Sequence, residues 1–149
     1  MNKIYEQVKI SGWGGYPIRK TMVTYPKNID QIQNEIKKNN LIARGNGRAY
    51  GDSSINKKNT MSMKYFNHIL SFDDVSGVLV VETGILLDDI INTFLPKGWF
   101  PYVTPGSKFT TIGGLIASDV HGKNHHKEGS FRNFVDWFEL IDSKGEIKK

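Results

Sequence analysis

Nine consecutive residues, Arg44-Gly45-Asn46-Gly47-Arg48-Ala49-Tyr50-Gly51-Asp52, constrain this chain more than any other stretch of it. With three glycines and two arginines in so short a run, neither a helix nor a strand can pass through, and the turn that results is positively charged. Such a loop can wrap a phosphate. Glycine admits positive φ and lets backbone N–H groups approach an anion with no Cβ in the way, and arginine adds charge-assisted hydrogen bonds. No Gly-Lys-Ser/Thr follows, so this is not a P-loop; Tyr50 stands where the dinucleotide fingerprint has its third glycine, and Asp52-Ser53-Ser54-Ile55-Asn56 reads as loop rather than helix. Taken alone, the run also reads as a turn cluster with one arginine paired to Asp52.

What leads into the loop is regular. Met22 to Tyr25 is a β-prone run closed by Pro26, and Asn28 then offers an N-cap. Ile29, Ile32 and Ile36, spaced by three and four, predict one apolar helical face, ended by Asn39-Asn40. Leu41-Ile42-Ala43 follows as a strand, giving a small β-α-β unit that empties into the glycine loop. Beyond it, Met61 to Lys64, Ile69 to Phe72 and Val78 to Glu82 read as strands, with turns at Asp73-Asp74 and Ser76-Gly77. Leu86 to Leu95 is an amphipathic helix stopped by Pro96 and Gly98, and a short helix begins at Thr110 or Thr111 and runs through Ile116. Trp137 to Ile141 and Glu146 to Ile147 flank Ser143-Lys144-Gly145 as a hairpin. The class is α+β: the β-α-β unit, then a mixed sheet with flanking helices.

A chain of 149 residues without repeats or linkers suggests one unit. It has no cysteine, which removes disulfides, thiolate nucleophiles and thiolate metal sites and makes a reducing, cytoplasmic compartment the expectation. No apolar stretch approaches the roughly 20 residues of a bilayer span, and Met1 to Lys9 lacks the apolar run of a signal peptide. The net charge of +5 is spread over Lys37-Lys38, Lys57-Lys58 and Lys148-Lys149, a solvated surface and not a nucleic-acid footprint. Trp13, Trp99, Phe100, Tyr102, Trp137 and Phe138 read as core or subunit-contact aromatics.

A second cluster changes the weight of the first. It runs through Pro105-Gly106-Ser107, Thr110-Thr111-Ile112-Gly113-Gly114 and Ser118-Asp119-Val120-His121-Gly122-Lys123-Asn124-His125-His126. Two phosphate-compatible loops suggest a diphosphate ligand. Gly113-Gly114 at a helix start would leave unpaired N–H groups facing an anion at the positive end of the helix dipole. Asp119, His121, His125 and His126 also admit a metal site, but Gly122 and Asn124 disfavour the helix that would set His121 and His125 on one face, so no metal is expected.

Together the two clusters resemble the FAD-binding domain of the vanillyl-alcohol-oxidase, or PCMH-type, flavoproteins, and within it the branch of decaprenylphosphoryl-ribose oxidase and the sugar-lactone oxidases. The match runs in order from Gly12-Trp13-Gly14 through Ala43 to Asp52, Pro105-Gly106, Thr111 to Gly114, Asp119 to His126 and Gly129-Ser130-Phe131. The resemblance implies that Ala43, Arg44, Gly45, Asn46, Gly47, Arg48, Tyr50, Gly51 and Asp52 hold the FAD pyrophosphate. It implies that Gly106, Thr111, Ile112, Gly113 and Gly114 line the cofactor channel, and that His121, Gly122, Lys123 and Asn124 lie near the flavin ring and ribityl chain. Lys123 also reads as a solvated side chain. FAD is expected to be noncovalent, as in that branch, although some relatives bond it to a histidine.

The resemblance further implies an oxidoreductase that oxidises a sugar-type alcohol by hydride transfer to flavin N5, with the substrate groups and the base on a separate domain. No catalytic residue is identifiable here. The family continues well beyond the hairpin at 137–147, so residues 1–149 are expected to be the N-terminal portion of the FAD-binding domain. The rest of that domain and the substrate domain would be absent. Such a piece should be inactive alone, hold FAD weakly and self-associate through its truncated edge; its parent could sit peripherally on a membrane. A noncatalytic module binding another phosphorylated ligand, or a partner chain, through the same loops is the alternative.

Overall fold

The computed structural model describes residues 5–149. In chain order the elements are β1 (Tyr5–Ile10), β2 (Arg19–Thr24), α1 (Ile29–Lys38), β3 (Leu41–Arg44), β4 (Asn59–Ser62), β5 (Ile69–Phe72), β6 (Leu79–Val81), α2 (Leu87–Phe94), α3 (Ile112–Ala117), α4 (His125–Glu128), β7 (Leu140–Ile141) and β8 (Ile147–Lys148). Short 3-10 turns cover Leu95–Lys97 and Phe131–Phe134. This is the expected α+β class with a mixed sheet. The chain divides into two compact units, however, and not the single one its length suggests: residues 5–65 with 137–149, and residues 66–136.

In the first unit β2, α1 and β3 form the anticipated β-α-β, but β3 does not pair with β2. β4 lies between them, parallel to both, and β1 adds antiparallel on the far side of β2, giving the order β1-β2-β4-β3. The strand expected at 61–64 starts two residues earlier, because the Asn56 side chain accepts from the N–H groups of Lys58 and Asn59 and turns the chain into the ladder there. Val23, Met61 and Ile32 are buried, and Thr21 and Thr60 share a hydrogen bond inside the sheet.

Helix α1 is built as its sequence dictates. Asn28 Oδ1 accepts from Gln31 N at 2.9 Å, a cap worth about 1 kcal/mol, with Asp30 in the first turn and Lys37 and Lys38 in the last, as the helix dipole favours. Its buried face differs from the isoleucine stripe: Ile32 is buried, Ile29 is exposed, and Glu35 lies inside. That carboxylate is satisfied by the Tyr5 hydroxyl and by Asn39 Nδ2.

The hairpin β7–β8 belongs to this unit. Gln33 Nε2 of α1 donates to Gly145 O at 2.7 Å, and Gly145, at φ +80, packs on α1. Within the hairpin the Asp142 carboxylate accepts from Lys148 Nζ and from the N–H groups of Glu146 and Lys144. These bonds, the lysine first, hold its pKa down from 3.8 to about 2. Because the folded pKa lies below the unfolded one, this contribution is complete above pH ~4 and lost as pH falls through about 2. An acid titration followed by the amide signals of residues 140–148 should show the loss in that window. In Asp142→Asn those signals should be weaker at neutral pH and flat across it.

The second unit has its own core. Ile85, Ile90 and Phe94 are buried together, with Phe72, Leu79, Val81, Trp99 and Ile112 packed around them, and Phe72 meets Phe94 at 4.4 Å. Leu86 is the N-cap of α2, so the helix starts at Leu87, one residue later than the apolar stripe begins, and Pro96 lies in the 3-10 turn that ends at Gly98, φ +84. Of the six aromatics read as core or contact residues, only Trp99 joins this core; Trp13, Phe100, Tyr102, Trp137 and Phe138 are exposed. No helix among the described residues is long and apolar enough to cross a membrane.

Candidate functional site

The glycine loop leaves the C-terminal end of β3. Gly47 and Gly51 take φ values of +68° and +57°, the region an L side chain rarely adopts, which is why glycine stands there. Gly47 is buried while Ala43, Gly45, Asn46, Tyr50, Gly51 and Asp52 are exposed, Tyr50 at 77%. The loop's carbonyls are engaged with the chain: Arg44 O accepts from Met63 N, Ala49 O from Trp13 N, Asp52 O from Ile55 N, and Tyr50 O from the Ser53 hydroxyl. No main-chain hydrogen bond among the described residues uses the N–H of Gly47, Tyr50 or Gly51.

The two arginines do different things. Arg44 turns inward, donating from Nη2 to Ser11 O at 2.7 Å and from Nη1 to Ser54 Oγ at 3.2 Å, and burial lowers its pKa. Arg48 lays its guanidinium 4.5 Å from the Trp13 ring, and its buried Nε has no hydrogen-bond partner among the described residues. A pairing of either arginine with Asp52 is not what the loop shows. An orphaned buried donor, Arg48 Nε, beside idle loop amides fits an anionic diphosphate.

In the second unit Thr111 caps α3, its hydroxyl accepting from Gly114 N at 3.3 Å. Here the expectation of open N–H groups fails. Ile112 N donates to Ile85 O, Gly113 N to Thr83 O and Leu115 N to Thr111 O, so the first turn is saturated from within. What the structure gives Gly113 is close packing: a Cβ there would sit 3.1 Å from the Thr83 Cβ and 3.2 Å from its carbonyl oxygen. Gly106 lies exposed in the preceding loop with open space around it.

The segment 119–126 is held from two sides. Asp119 has φ +40°, and its carboxylate, its pKa lowered by the Ser130 hydroxyl and then by Arg132, accepts from Arg132 N at 3.1 Å. His121 pairs with Ser130 in an isolated bridge, leaving its ring exposed, 5.3 Å from that of His125. Gly122 is buried against Thr104, and Asn124 Nδ2 donates to Tyr102 O at 2.9 Å. Lys123 is exposed. Helix α4 starts only at His125, so His121 lies outside it, and no group of three or more metal-ligating side chains occurs among the described residues. Sequence reasoning assigned nothing to Ser11, Thr83 or Thr104, single polar residues on separate segments that carry no spacing signal, and gave Ser130 no role beyond its place in the Gly129-Ser130-Phe131 match.

Comparison with known proteins fits this geometry. Residues 21–149 match the family profile described as FAD binding domain. The chain is 41% identical over 109 residues to the decaprenylphosphoryl-beta-D-ribose oxidase of Mycolicibacterium smegmatis, covering 72% of this chain and 24% of that protein. It is 31% identical over 103 residues to the D-lactate dehydrogenase of Anaerostipes hadrus, covering 69% and 22%. Among solved structures, an alkyldihydroxyacetonephosphate synthase superposes with a TM-score of 0.71 at 19% identity, covering 85% of this chain and 25% of that one, which speaks to fold. The chain thus spans about a quarter of the length of these relatives.

Proposed function

This chain belongs to the FAD binding domain family, its cofactor is FAD, and on that premise we propose that residues 1–149 are the N-terminal, cofactor-holding portion of an oxidoreductase acting on a sugar-type alcohol. The observation that carries this reading is the glycine loop: a buried, partnerless Arg48 Nε beside the idle amides of Gly47, Tyr50 and Gly51, the donor set a diphosphate requires. Ala43, Gly45, Asn46, Gly47, Arg48, Tyr50, Gly51 and Asp52 take the pyrophosphate, on a loop that Arg44 braces from within the chain. Gly106, Thr111, Ile112, Gly113 and Gly114 shape the cofactor channel through packing, and His121, Gly122, Lys123 and Asn124 flank the flavin. When bound, the flavin ring supplies the acceptor for the hydride that leaves the alcohol carbon.

The 41% identity to an oxidase of decaprenylphosphoryl-ribose supports the sugar class, and the D-lactate dehydrogenase supports oxidation of a carbinol carbon. The substrate-binding part and the base lie outside these 149 residues in this reading. Titrating the chain with FAD should perturb the flavin absorbance and quench its fluorescence. Acid precipitation should release all the flavin to the supernatant, as noncovalent binding requires. An unperturbed flavin spectrum at saturating FAD would refute the reading.

A further inference from the structure

The family profile begins at residue 21, yet the segment before it is built onto the glycine loop. We infer that Ser11 to Gly15 is a strap that presets the FAD loop, and that Arg44 is the positioning residue that clips the two together rather than a ligand of the phosphates. This rests on the assignment of FAD to that loop.

Four contacts carry it, all within the first unit. Arg44 spans the gap with its planar fork, one nitrogen on Ser11 O of the strap and the other on Ser54 Oγ beyond the loop. Trp13 N donates to Ala49 O at 2.8 Å. A Cβ on Gly12 would collide with Gly51 O and lie 2.7 Å from Ala49 O, so the strap's backbone runs directly against the loop's. Trp13 then offers its ring to the Arg48 guanidinium.

A loop that turns at two positive-φ glycines has many conformations to lose on binding. Pinned at Ser11, Ala49 and Ser54, it loses them on folding instead, and the amides meet the ligand already aimed. Arg44 has both ends of its fork committed inside the chain, whereas Arg48 keeps a buried nitrogen for a ligand. A lysine at 44 keeps the charge but cannot bridge two acceptors with a rigid plane.

The test compares Arg44→Lys, Arg44→Met and Trp13→Ala in the full 149-residue chain, by FAD titration at two salt concentrations and by amide exchange of Trp13 N–H without ligand. Arg44→Lys and Arg44→Met should weaken FAD about equally, tenfold or more, with the salt dependence of wild type. Both should speed exchange at Trp13 about tenfold. Trp13→Ala, an exposed position, keeps the fold and should weaken FAD several-fold. If Arg44→Lys binds FAD like wild type while Arg44→Met does not, Arg44 is a charge ligand and the inference is overturned. Unchanged exchange at Trp13 in both Arg44 variants overturns it as well. Should wild type fail to bind FAD, the functional reading falls, and the ligand-free exchange still decides whether the strap is clipped by Arg44.

Discussion

Gly47→Val is expected to abolish FAD binding while leaving most of the fold intact. The residue is buried at φ +68°, where a side chain costs about 1–3 kcal/mol and a β-branched one falls at the upper end. A Cβ there also collides with the Arg44 guanidinium, which cannot swing away without releasing Ser11 O and Ser54 Oγ. A lost hydrogen bond to a charged group costs about 1.5–3 kcal/mol. Together these amount to several kcal/mol, set against about 1.4 kcal/mol for each tenfold in affinity, so a loss on the order of 100-fold or more follows. Gly47→Ala should lie between. Flavin absorbance across a titration, with far-UV circular dichroism as the control, checks it, and a wild-type affinity in the valine variant would refute the loop assignment.

The second large effect is expected from Gly122→Ala. A Cβ at this buried position would stand 2.9 Å from Thr104 O and 2.6 Å from Asn124 Oδ1. The first neighbour is backbone, and the second is fixed by its own bond to Tyr102 O. The segments at 102–104 and 121–124 must therefore part, an overpacking that costs typically 1–3 kcal/mol. His121, Lys123 and Asn124 move with the backbone, and flavin binding should weaken tenfold or more, with an altered visible circular dichroism of bound flavin. Lys123→Ala separates motion from contact. Its side chain is exposed, so it leaves the packing untouched, and a drop in affinity there reports Lys123 itself on the ligand.

Much of the fold was legible because local chemistry decides it. Asn28 caps α1, Thr111 caps α3, and the turn at Asp73 closes through Val75 N and the Ser76 hydroxyl, all features written within a few residues. Strand β1 was not legible: Tyr5 to Ile10 lies mostly exposed and has no apolar run to mark it. The placement of β4 between β2 and β3 depends on parallel pairing across distant residues, which periodicity cannot register. The same distinction divides the candidate site. Glycines at 47 and 51 announce positive φ, but nothing near Gly113 in the chain tells that Thr83 and Ile85 saturate the amides of α3, or that Arg44 is spoken for by Ser11.

The order of the two units along the chain bears on how the protein comes to be made. Residues 66–136 are contiguous and interrupt the other unit, whose last piece, 137–149, docks on helix α1 through Gln33 and Gly145. During synthesis the inserted unit can mature as soon as it clears the ribosome, and the four strands of the sheet are all made by Ser62, whereas α1 presents an unfinished surface until residues 137–149 dock on it. Translation pauses after codon 136 would prolong that vulnerable interval, and chaperone capture should concentrate there.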